Sequence, residues 1–274
     1  MNESSMRLAL TVATPGAPPS AFVVYREPLA ESLPKIARMG YDGVELALLD
    51  GSQVDMAELR LLLDATGLSV PAISTGQVFA VGRCSFASAD RSARAKAEDL
   101  FAGLVDVAAE LGAMINVGRV RGSVEGNGSR DEVEARVAES LLRMAERAAA
   151  AGVGIVLEPV NRYEIDLLNS CSEAEAFLDR FGLDGVRIMP DVFHMNIEDP
   201  SIEGSLARIA GRIGYVHFAD SNRRYPGAGH LDFPGMIGTL RSAGYRGWIG
   251  VEILPFPDPD AAAGRAAEYL RRFI

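Results

Sequence analysis

The sequence predicts a (β/α)8 barrel, which forms a single domain over residues 1–274. Short apolar runs alternate from end to end with longer amphipathic stretches, and this alternation is typical of a parallel sheet covered by helices. Eight such pairs fit into 274 residues, close to the roughly 250 residues that a closed barrel needs. The run 154–157 (GIVL) is apolar throughout, as expected of a strand buried on both faces.

Each predicted strand is a short apolar run bounded by turn residues, and each helix has apolar residues at helical spacing. The strands are predicted at 7–13, 43–47, 70–74, 113–117, 154–158, 186–191, 214–218 and 248–252. The helices are predicted at 28–39, 55–66, 92–111, 131–150, 172–181, 202–210, 234–243 and 260–273. Gly40 and Gly67 end the first two helices, because glycine readily adopts the left-handed conformation of a C-terminal cap.

Two connections are long, 75–90 and 118–130, and the second is rich in glycine and arginine. Long connections in a compact domain are usually functional or mobile. Residues 1–5 are expected to be disordered or tag-like. No basic segment followed by an apolar stretch begins the sequence, so we expect no signal peptide. No apolar run reaches about 18 residues, so we expect no membrane span.

Composition narrows the range of partners. The hydrophobic fraction of 48% and the charged fraction of 23% are those of an ordinary soluble protein. The formal net charge of −10 disfavours a nucleic-acid partner, although a single local arginine can still bind a small anion. Cys84 and Cys171 lie far apart and form no CxxC pair, which favours a reducing cytoplasm.

Four consecutive predicted strands end in a side chain that can bind a metal. These are Glu158, Asp191, His217 and Glu252. In a parallel barrel the carboxyl ends of the strands meet at one mouth. A single acid there is usually a helix cap or an ion-pair partner, but four at consecutive ends indicate one site. Carboxylates with one imidazole favour a divalent metal ion, with Mn²⁺, Mg²⁺ or Co²⁺ preferred and Zn²⁺ as an alternative.

Several segments resemble those of a known family. The matching strings are GIVLEPVNRYE (154–164), PDVFHMNIED (190–199), YVHFADSNRRYPGAGHLDF (215–233), VEILP (251–255), GYDGVEL (40–46) and STGQ (74–77). Together they resemble the xylose-isomerase-like barrel superfamily, and more closely its D-tagatose 3-epimerase group. The resemblance is strongest to the 5-keto-L-gluconate epimerase type, which shares EPxNRYE, DxFHMNIE, ADSNR, GHxDF and an RG-containing loop after strand four.

This resemblance implies an activity and a role for each matched residue. It implies C3 epimerisation, through an enediolate, of a small ketose such as tagatose or psicose, or of a keto-sugar acid such as 5-keto-L-gluconate or tagaturonate. Glu158, Asp191, His217 and Glu252 match the ligands of one divalent ion, with Mn²⁺ favoured, and Glu158 and Glu252 also match the pair that moves the C3 proton. The residues that match the group holding the C1–C2 end of the substrate are Glu164, His194 and Arg223. Homodimers or tetramers are common in the group, so a homo-oligomer is compatible with it.

Further candidates carry a weaker signal. Arg121, in the long loop after strand four, is a candidate to bind a substrate carboxylate bidentately. Glu45 ends strand two. It is a candidate either for a direct role in the site or for a hydrogen bond that supports one of the ligands. His230 is a candidate to order the loop after strand seven. Three aromatic residues near the mouth, as suitable for packing as for a substrate wall, are Phe22, Tyr25 and Phe79.

Three alternatives to an epimerase remain. An endonuclease of the same superfamily would bind three zinc ions and need more histidines than the three present. A sugar lyase or dehydratase, or an aldose–ketose isomerase, would use a similar metal site and related enolate chemistry. A non-catalytic sugar-binding barrel is disfavoured because both proton-transfer glutamates, Glu158 and Glu252, are present.

Overall fold

The computed structural model describes residues 6–19 and 21–274. Eight parallel strands follow one another in the sheet order β6-β5-β4-β3-β2-β1-β8-β7. They are β1 (Arg7–Ala13), β2 (Gly43–Ala47), β3 (Ala72–Ser74), β4 (Met114–Val117), β5 (Ile155–Leu157), β6 (Val186–Ile188), β7 (Val216–Phe218) and β8 (Trp248–Val251). Single bridges, Ile188 to Ile213 and Asp191 to His217, join the two ends of this order. The predicted (β/α)8 barrel is therefore confirmed.

Helices surround the sheet and bury their apolar sides against it. They are α1 (Leu29–Arg38), α2 (Met56–Thr66), α3 (Gly76–Ala80), α4 (Arg91–Leu111), α5 (Arg130–Ala150), α6 (Cys171–Arg180), α7 (Val192–Glu198), α8 (Ile202–Arg208), α9 (Phe233–Ser242) and α10 (Pro259–Leu270). The predicted cap Gly67 follows α2 at φ 70°, in the left-handed region that glycine tolerates. No helix among the described residues is long and apolar enough to cross a membrane.

The structure differs from the prediction mainly at the mouth of the barrel. The predicted loop 75–90 contains the short helix α3, and α7 begins where strand six was expected to end. Strand β6 stops at Ile188, and the carboxylate of Asp191 accepts a hydrogen bond from the backbone N–H of Phe193 at 2.8 Å. Asp191 therefore caps α7, because the first N–H groups of a helix lack partners within it.

Most strands have only three to five residues. Strand β3 begins at Ala72, two residues later than the predicted strand three. The long loop after β4 contains one 3₁₀ turn, Arg119–Arg121. The expectation of disorder for residues 1–5 lies outside the described residues.

Candidate metal centre and substrate cleft

Four side chains from neighbouring strands meet at the C-terminal mouth of the barrel. Glu158 follows β5, Asp191 follows β6, His217 lies on β7 and Glu252 follows β8. One potential ligand atom of each lies within 4.8 Å of those of the others. The structure thus brings the four predicted ligands together. Three carboxylates and one imidazole are a donor set that fits a divalent cation.

The ring of His217 is oriented by Glu45. Its Nε2 lies 2.8 Å from Oε2 of Glu45, and both side chains are fully buried. Its Nδ1 is buried without a hydrogen-bond partner among the described residues and lies 3.4 Å from Oε1 of Glu158. An unpartnered ring nitrogen that faces carboxylates, with the other nitrogen bonded to a carboxylate, is the arrangement of a metal-binding histidine. Glu45 therefore lies behind a ligand rather than among the ligands.

Negative charge is concentrated in this buried cluster. Burial, together with the charges of Glu158 and Asp191, raises the pKa of Glu252 to about 8. Burial acts in the same direction on Asp191, but the positive charge of Arg223 outweighs it and lowers the pKa of Asp191 to about 2. Burial also opposes the charged form of His217, yet the neighbouring Glu45 and Glu252 raise the pKa of His217 well above its ordinary value. A divalent cation would offset this excess of negative charge, so the electrostatics fit the donor chemistry.

Three further predicted residues line the same cleft. The guanidinium of Arg223 donates to Oδ2 of Asp191 at 2.7 Å and also contacts Glu252. Nε2 of His194 lies 3.7 Å from Oδ2 of Asp191, and Nδ1 of His194 lies 4.0 Å from Oε1 of Glu164. The structure therefore places the three residues predicted to hold the C1–C2 end of a substrate beside the ligand cluster.

Arg223 is held in place by an ordered loop. Its φ of 59° lies in the left-handed region, which is strained for a residue with a side chain. The carboxylate of Asp220 accepts hydrogen bonds from the backbone N–H groups of Gly227 and Gly229, and so ties the loop together. Two aromatic rings, those of Phe22 and Phe193, lie 4.8 and 4.7 Å from the guanidinium. This environment fixes the charge of Arg223 in the cleft.

Arg121 does not lie in the cleft, so its predicted contact with a substrate carboxylate is wrong. Its side chain is fully buried. The guanidinium donates to four backbone carbonyls, at 2.7–3.0 Å, which belong to Gly118, Glu158, Leu167 and Leu168. Four of the five guanidinium N–H groups are used in this way, and the fully buried side chain does not line the cleft. Arg121 instead joins the loop after β4 to the segment after β5.

Sequence reasoning missed Arg119, two residues earlier in the same loop. Its side chain is 23% exposed, lines the cleft, and lies 3.7 Å from Oε2 of Glu164. The string GRVRG signalled that arginines were present. It did not indicate which one points into the cleft, because that depends on the 3₁₀ turn at Arg119–Arg121.

Asn116 was also missed. It is the one polar residue of β4 (MINV), and its Nδ2 donates to Oε2 of Glu158 at 3.2 Å. A Cβ at Gly118 would lie 2.5 Å from that same Oε2, so a side chain at this position would displace the carboxylate of Glu158. The polar side chain in an otherwise apolar strand was the available signal, since a buried amide needs a partner.

The cleft has two lobes, which span about 330 and 370 Å³ when the space open to solvent is included. The first is polar and is lined by two of the predicted ligands, Glu158 and Glu252, and by Glu164, His194 and Arg223. The second is lined mainly by small and apolar residues. Five residues line both lobes: Phe22, Ser74, Gly76, Arg119 and Glu252. The lobes therefore adjoin and offer room for a small substrate that extends away from the ligand cluster.

The structure assigns different places to the weaker candidates of the sequence analysis. Phe22 is a wall of the cleft. Tyr25 is buried and donates its hydroxyl to Asp260 at 2.6 Å, so it belongs to the packing. Phe79 is half-buried on α3 and lines neither lobe. Nδ1 of His230 lies 2.9 Å from the hydroxyl of Ser221, which agrees with a role in ordering the loop after β7.

Comparison with known proteins gives a consistent result. The L-ribulose 3-epimerase of Methylomonas sp. (strain DH-1) is 34% identical over 257 residues, which cover 86% of this chain and 88% of that protein. The L-ribulose 3-epimerase of Mesorhizobium japonicum is 34% identical over 224 residues, 79% of this chain and 72% of that protein. The crystal structure of a Methylomonas D-allulose 3-epimerase in complex with D-allulose superimposes with a TM-score of 0.83 at 29% identity, covering 99% of this chain and 98% of that chain.

A 3-keto-D-glucoside 4-epimerase from Escherichia coli also superimposes, with a TM-score of 0.83 at 25% identity, over 98% of this chain and all of that one. The relatives are carbohydrate epimerases, in agreement with the resemblance found in the sequence. The family model of the xylose isomerase-like TIM barrel matches residues 33–273. The chain therefore belongs to the xylose isomerase-like TIM barrel family.

Proposed function

We propose that this protein is a metal-dependent epimerase that inverts C3 of a small ketose or keto-sugar acid. The observation that carries the proposal is the cluster itself. Two glutamates, Glu158 after β5 and Glu252 after β8, reach the same ligand position from strands three places apart in the barrel. Curated relatives that match most of the chain are named L-ribulose 3-epimerases, and a two-carboxylate site fits the inversion of a carbon next to a ketone.

The roles of the chain's own residues follow from this chemistry. Glu158, Asp191, His217 and Glu252 would hold a divalent ion, with Mn²⁺ favoured, and the bound ion would supply Lewis acidity to the ketone chemistry. Glu158 removes the C3 proton from one face, and Glu252 delivers a proton to the other; in the reverse reaction the two exchange roles. Three side chains hold the C1–C2 end of the substrate: Glu164, His194 and Arg223.

Before a metal ion binds, the two glutamates lie in unequal electrostatic environments. Burial opposes the charged form of Glu158, but the adjacent ring of His217, 3.4 Å away, lowers the pKa of Glu158 below its ordinary value. The pKa of Glu252 is raised to about 8, with burial as its main cause. The two carboxylates are therefore electrostatically distinct in the metal-free site.

We further propose that the substrate carries a carboxylate and that Arg119, not Arg121, binds it. Arg119 lies where the polar and apolar lobes meet, and its partner Glu164 is 3.7 Å away. Arg119 also lines the apolar lobe, which Glu164, His194 and Arg223 do not line, so it can meet the other end of a substrate whose C1–C2 end those three residues hold. The resemblance to the 5-keto-L-gluconate type supports the same substrate class.

The substrate charge is tested with Arg119→Gln, which keeps the length of the side chain but not its charge. We expect KM to rise about tenfold or more for a keto-sugar acid and by much less for the matching neutral ketose. Arg224→Gln, on the loop after β7 and outside the cleft lining, is the control and is expected to leave both values unchanged. Equal effects of Arg119→Gln on the two substrates would remove Arg119 from carboxylate binding.

The epimerase activity is tested with a panel of ketoses and keto-sugar acids in D₂O with added Mn²⁺, which is removed before proton NMR. We expect the C3 epimer, with deuterium at C3, from at least one substrate. The Glu158→Gln variant, purified identically, excludes a contaminating enzyme. An aldose product would indicate an isomerase, and loss of water or a carbon fragment would indicate a lyase. Either result would contradict the proposal.

The cytoplasm remains our proposed location. The two cysteines, Cys84 and Cys171, are both buried and free of disulfides, which is compatible with a reducing compartment.

A further inference from the structure

The segment after β5 is joined to helix α7 by two contacts one helical turn apart. Nδ2 of Asn161 lies 2.7 Å from Nδ1 of His194. Four residues further along α7, Glu198 forms an ion pair with Arg162 at 2.6 Å and also accepts a hydrogen bond from its backbone N–H at 2.6 Å. The first contact reaches into the cleft, and the second lies outside it, so the two can be tested separately.

The first contact fixes the position of a proton. The backbone N–H of Tyr163 donates to Oδ1 of Asn161 at 3.0 Å. Because a backbone N–H can only donate, this contact identifies the oxygen of the amide, and the atom that faces His194 is the NH₂ group. An amide NH₂ is a donor, so Nδ1 of His194 must accept and carries no proton. The proton of the neutral ring is therefore on Nε2.

The surroundings hold both residues in this arrangement. The side chains of Asn161 and His194 are 2% and 3% exposed, so neither can exchange its partner for water. The second N–H of the Asn161 amide points to Oε1 of Glu164 at 3.2 Å. The cleft therefore meets His194 at its Nε2 side, near Asp191.

We propose that Asn161 is a positioning residue that holds His194 in the Nε2–H tautomer, so that His194 offers a donor, and not an acceptor, to a substrate oxygen. Only the identity of the oxygen-bearing ligand rests on the proposed epimerase function. The tautomer itself rests on the contacts of Tyr163, Asn161 and His194. Without Asn161, the ring could present either nitrogen, and a lone pair on Nε2 would repel the oxygen that it should bind.

The tautomer is measured directly by long-range proton–nitrogen NMR of the ¹⁵N-histidine-labelled protein, loaded with diamagnetic Mg²⁺. The chain has only three histidines, and His194→Gln assigns the signals by removing one set. We expect an unprotonated Nδ1 and a protonated Nε2 in the native protein. A protonated Nδ1 with a bare Nε2, or a doubly protonated ring, would overturn the proposal without any variant of Asn161.

Two variants distinguish a role of Asn161 in positioning His194 from a general role of its segment in supporting the structure. Asn161→Asp replaces the donor with a carboxylate, which can only accept, so we expect Nδ1 of His194 to become protonated. Arg162→Gln loosens the same segment but does not touch the ring, so the native tautomer should persist. With an active substrate, kcat/KM should fall about 10²-fold in Asn161→Asp, as for the loss of an aligned donor, and far less in Arg162→Gln.

Two outcomes would contradict the role of Asn161. One is an unchanged nitrogen spectrum in folded Asn161→Asp, and the other is an equal tautomer change in Arg162→Gln. The test is distinct from that of the proposed function. A protein that turns over no ketose but shows the expected spectrum would refute the function and leave the tautomer assignment intact.

Discussion

Each predicted ligand contacts a second polar side chain that restricts its orientation. Asn116 donates to Glu158, and Glu45 bonds to the far nitrogen of His217. Such outer contacts fix the direction of lone pairs before any ligand binds, which lowers the cost of assembling the site. The residues that contact the predicted ligands, such as Asn116 and Glu45, therefore need to be tested by mutation as well as the ligands themselves.

Replacing either proton-transfer glutamate with glutamine should abolish net epimerisation. Glutamine keeps the shape of Glu158 or Glu252 but cannot exchange a proton, and general acid–base groups typically contribute about 10²–10⁴-fold. In D₂O, one variant should still exchange the C3 proton of one epimer without inverting it, and the other variant should do so for the opposite epimer. Metal content must be measured alongside. A Glu252→Gln variant that keeps its metal and epimerises near the native rate would disprove the two-base assignment.

Glu45→Leu should weaken metal binding without removing a ligand. The leucine cannot accept the Nε2–H of His217, so the ring loses the contact that aims Nδ1 at the cluster. Titration calorimetry with Mn²⁺ should give a Kd raised about 10–100-fold. Glu45→Gln, whose side-chain oxygen still accepts, should lose less, and exposed Glu58→Leu is the control. Native affinity in folded Glu45→Leu would show that Glu45 does not act through His217.

At the scale of the elements, the two arginines of the loop after β4 have different roles. The 3₁₀ turn at Arg119–Arg121 points the first side chain into the cleft and buries the second. Arg121 bonds the carbonyl of Glu158 at 2.7 Å and that of Leu167 at 2.9 Å, so it links the loops after β4 and β5. A buried cation thus supports the backbone that carries Glu158, a predicted metal ligand.

Arg121→Met should lower stability rather than change substrate preference. The substitution leaves buried carbonyls without donors, and each such group costs about 1–3 kcal/mol. We expect the free energy of unfolding, from denaturant titration, to fall by at least about 3 kcal/mol. Arg130→Met, on the exposed start of α5, should change it by less than about 1 kcal/mol. A selective loss of activity on the keto-acid, with native stability, would return Arg121 to substrate binding.

At the scale of the whole molecule, we expect metal binding at the site to be linked to proton release and to the stability of the fold. Glu252 has a pKa of about 8, and the pKa of His217 is also raised. Both groups therefore bind protons more tightly in the folded, metal-free protein than in the unfolded chain. Their contribution to stability is present at low pH and is lost as the pH rises through the folded-state pKa values.

Metal binding should reverse this dependence, because Glu252 and His217 must release protons to act as ligands. The apparent affinity for Mn²⁺ should rise by about tenfold per pH unit for each proton released, up to about pH 8. At fixed free Mn²⁺, the increase in Tm should be larger near about pH 8 than near about pH 6. Calorimetry in buffers of different ionisation enthalpy should detect the released protons. The Glu252→Gln variant should release fewer, and native binding without proton release would contradict the prediction.

The sequence alone determined the barrel and the four-residue cluster. Apolar periodicity reports which segments are strands and helices, and the order of strands in a parallel barrel places consecutive strand ends side by side. Glu158, Asp191, His217 and Glu252 could therefore be grouped without knowing any distance, and the structure brings them within 4.8 Å.

The tertiary structure alone decided what lies around that cluster. Glu45 and His217 are separated by 172 positions in the sequence, and no local sequence pattern indicates that they are in contact. Arg119 and Arg121 have the same chemistry, and only the turn between them determines which one reaches the cleft. Likewise Asn161 meets His194 across the gap between a loop and α7. Periodicity encodes the direction of side chains within regular elements, whereas loop turns and contacts between distant segments depend on the packing of the whole chain.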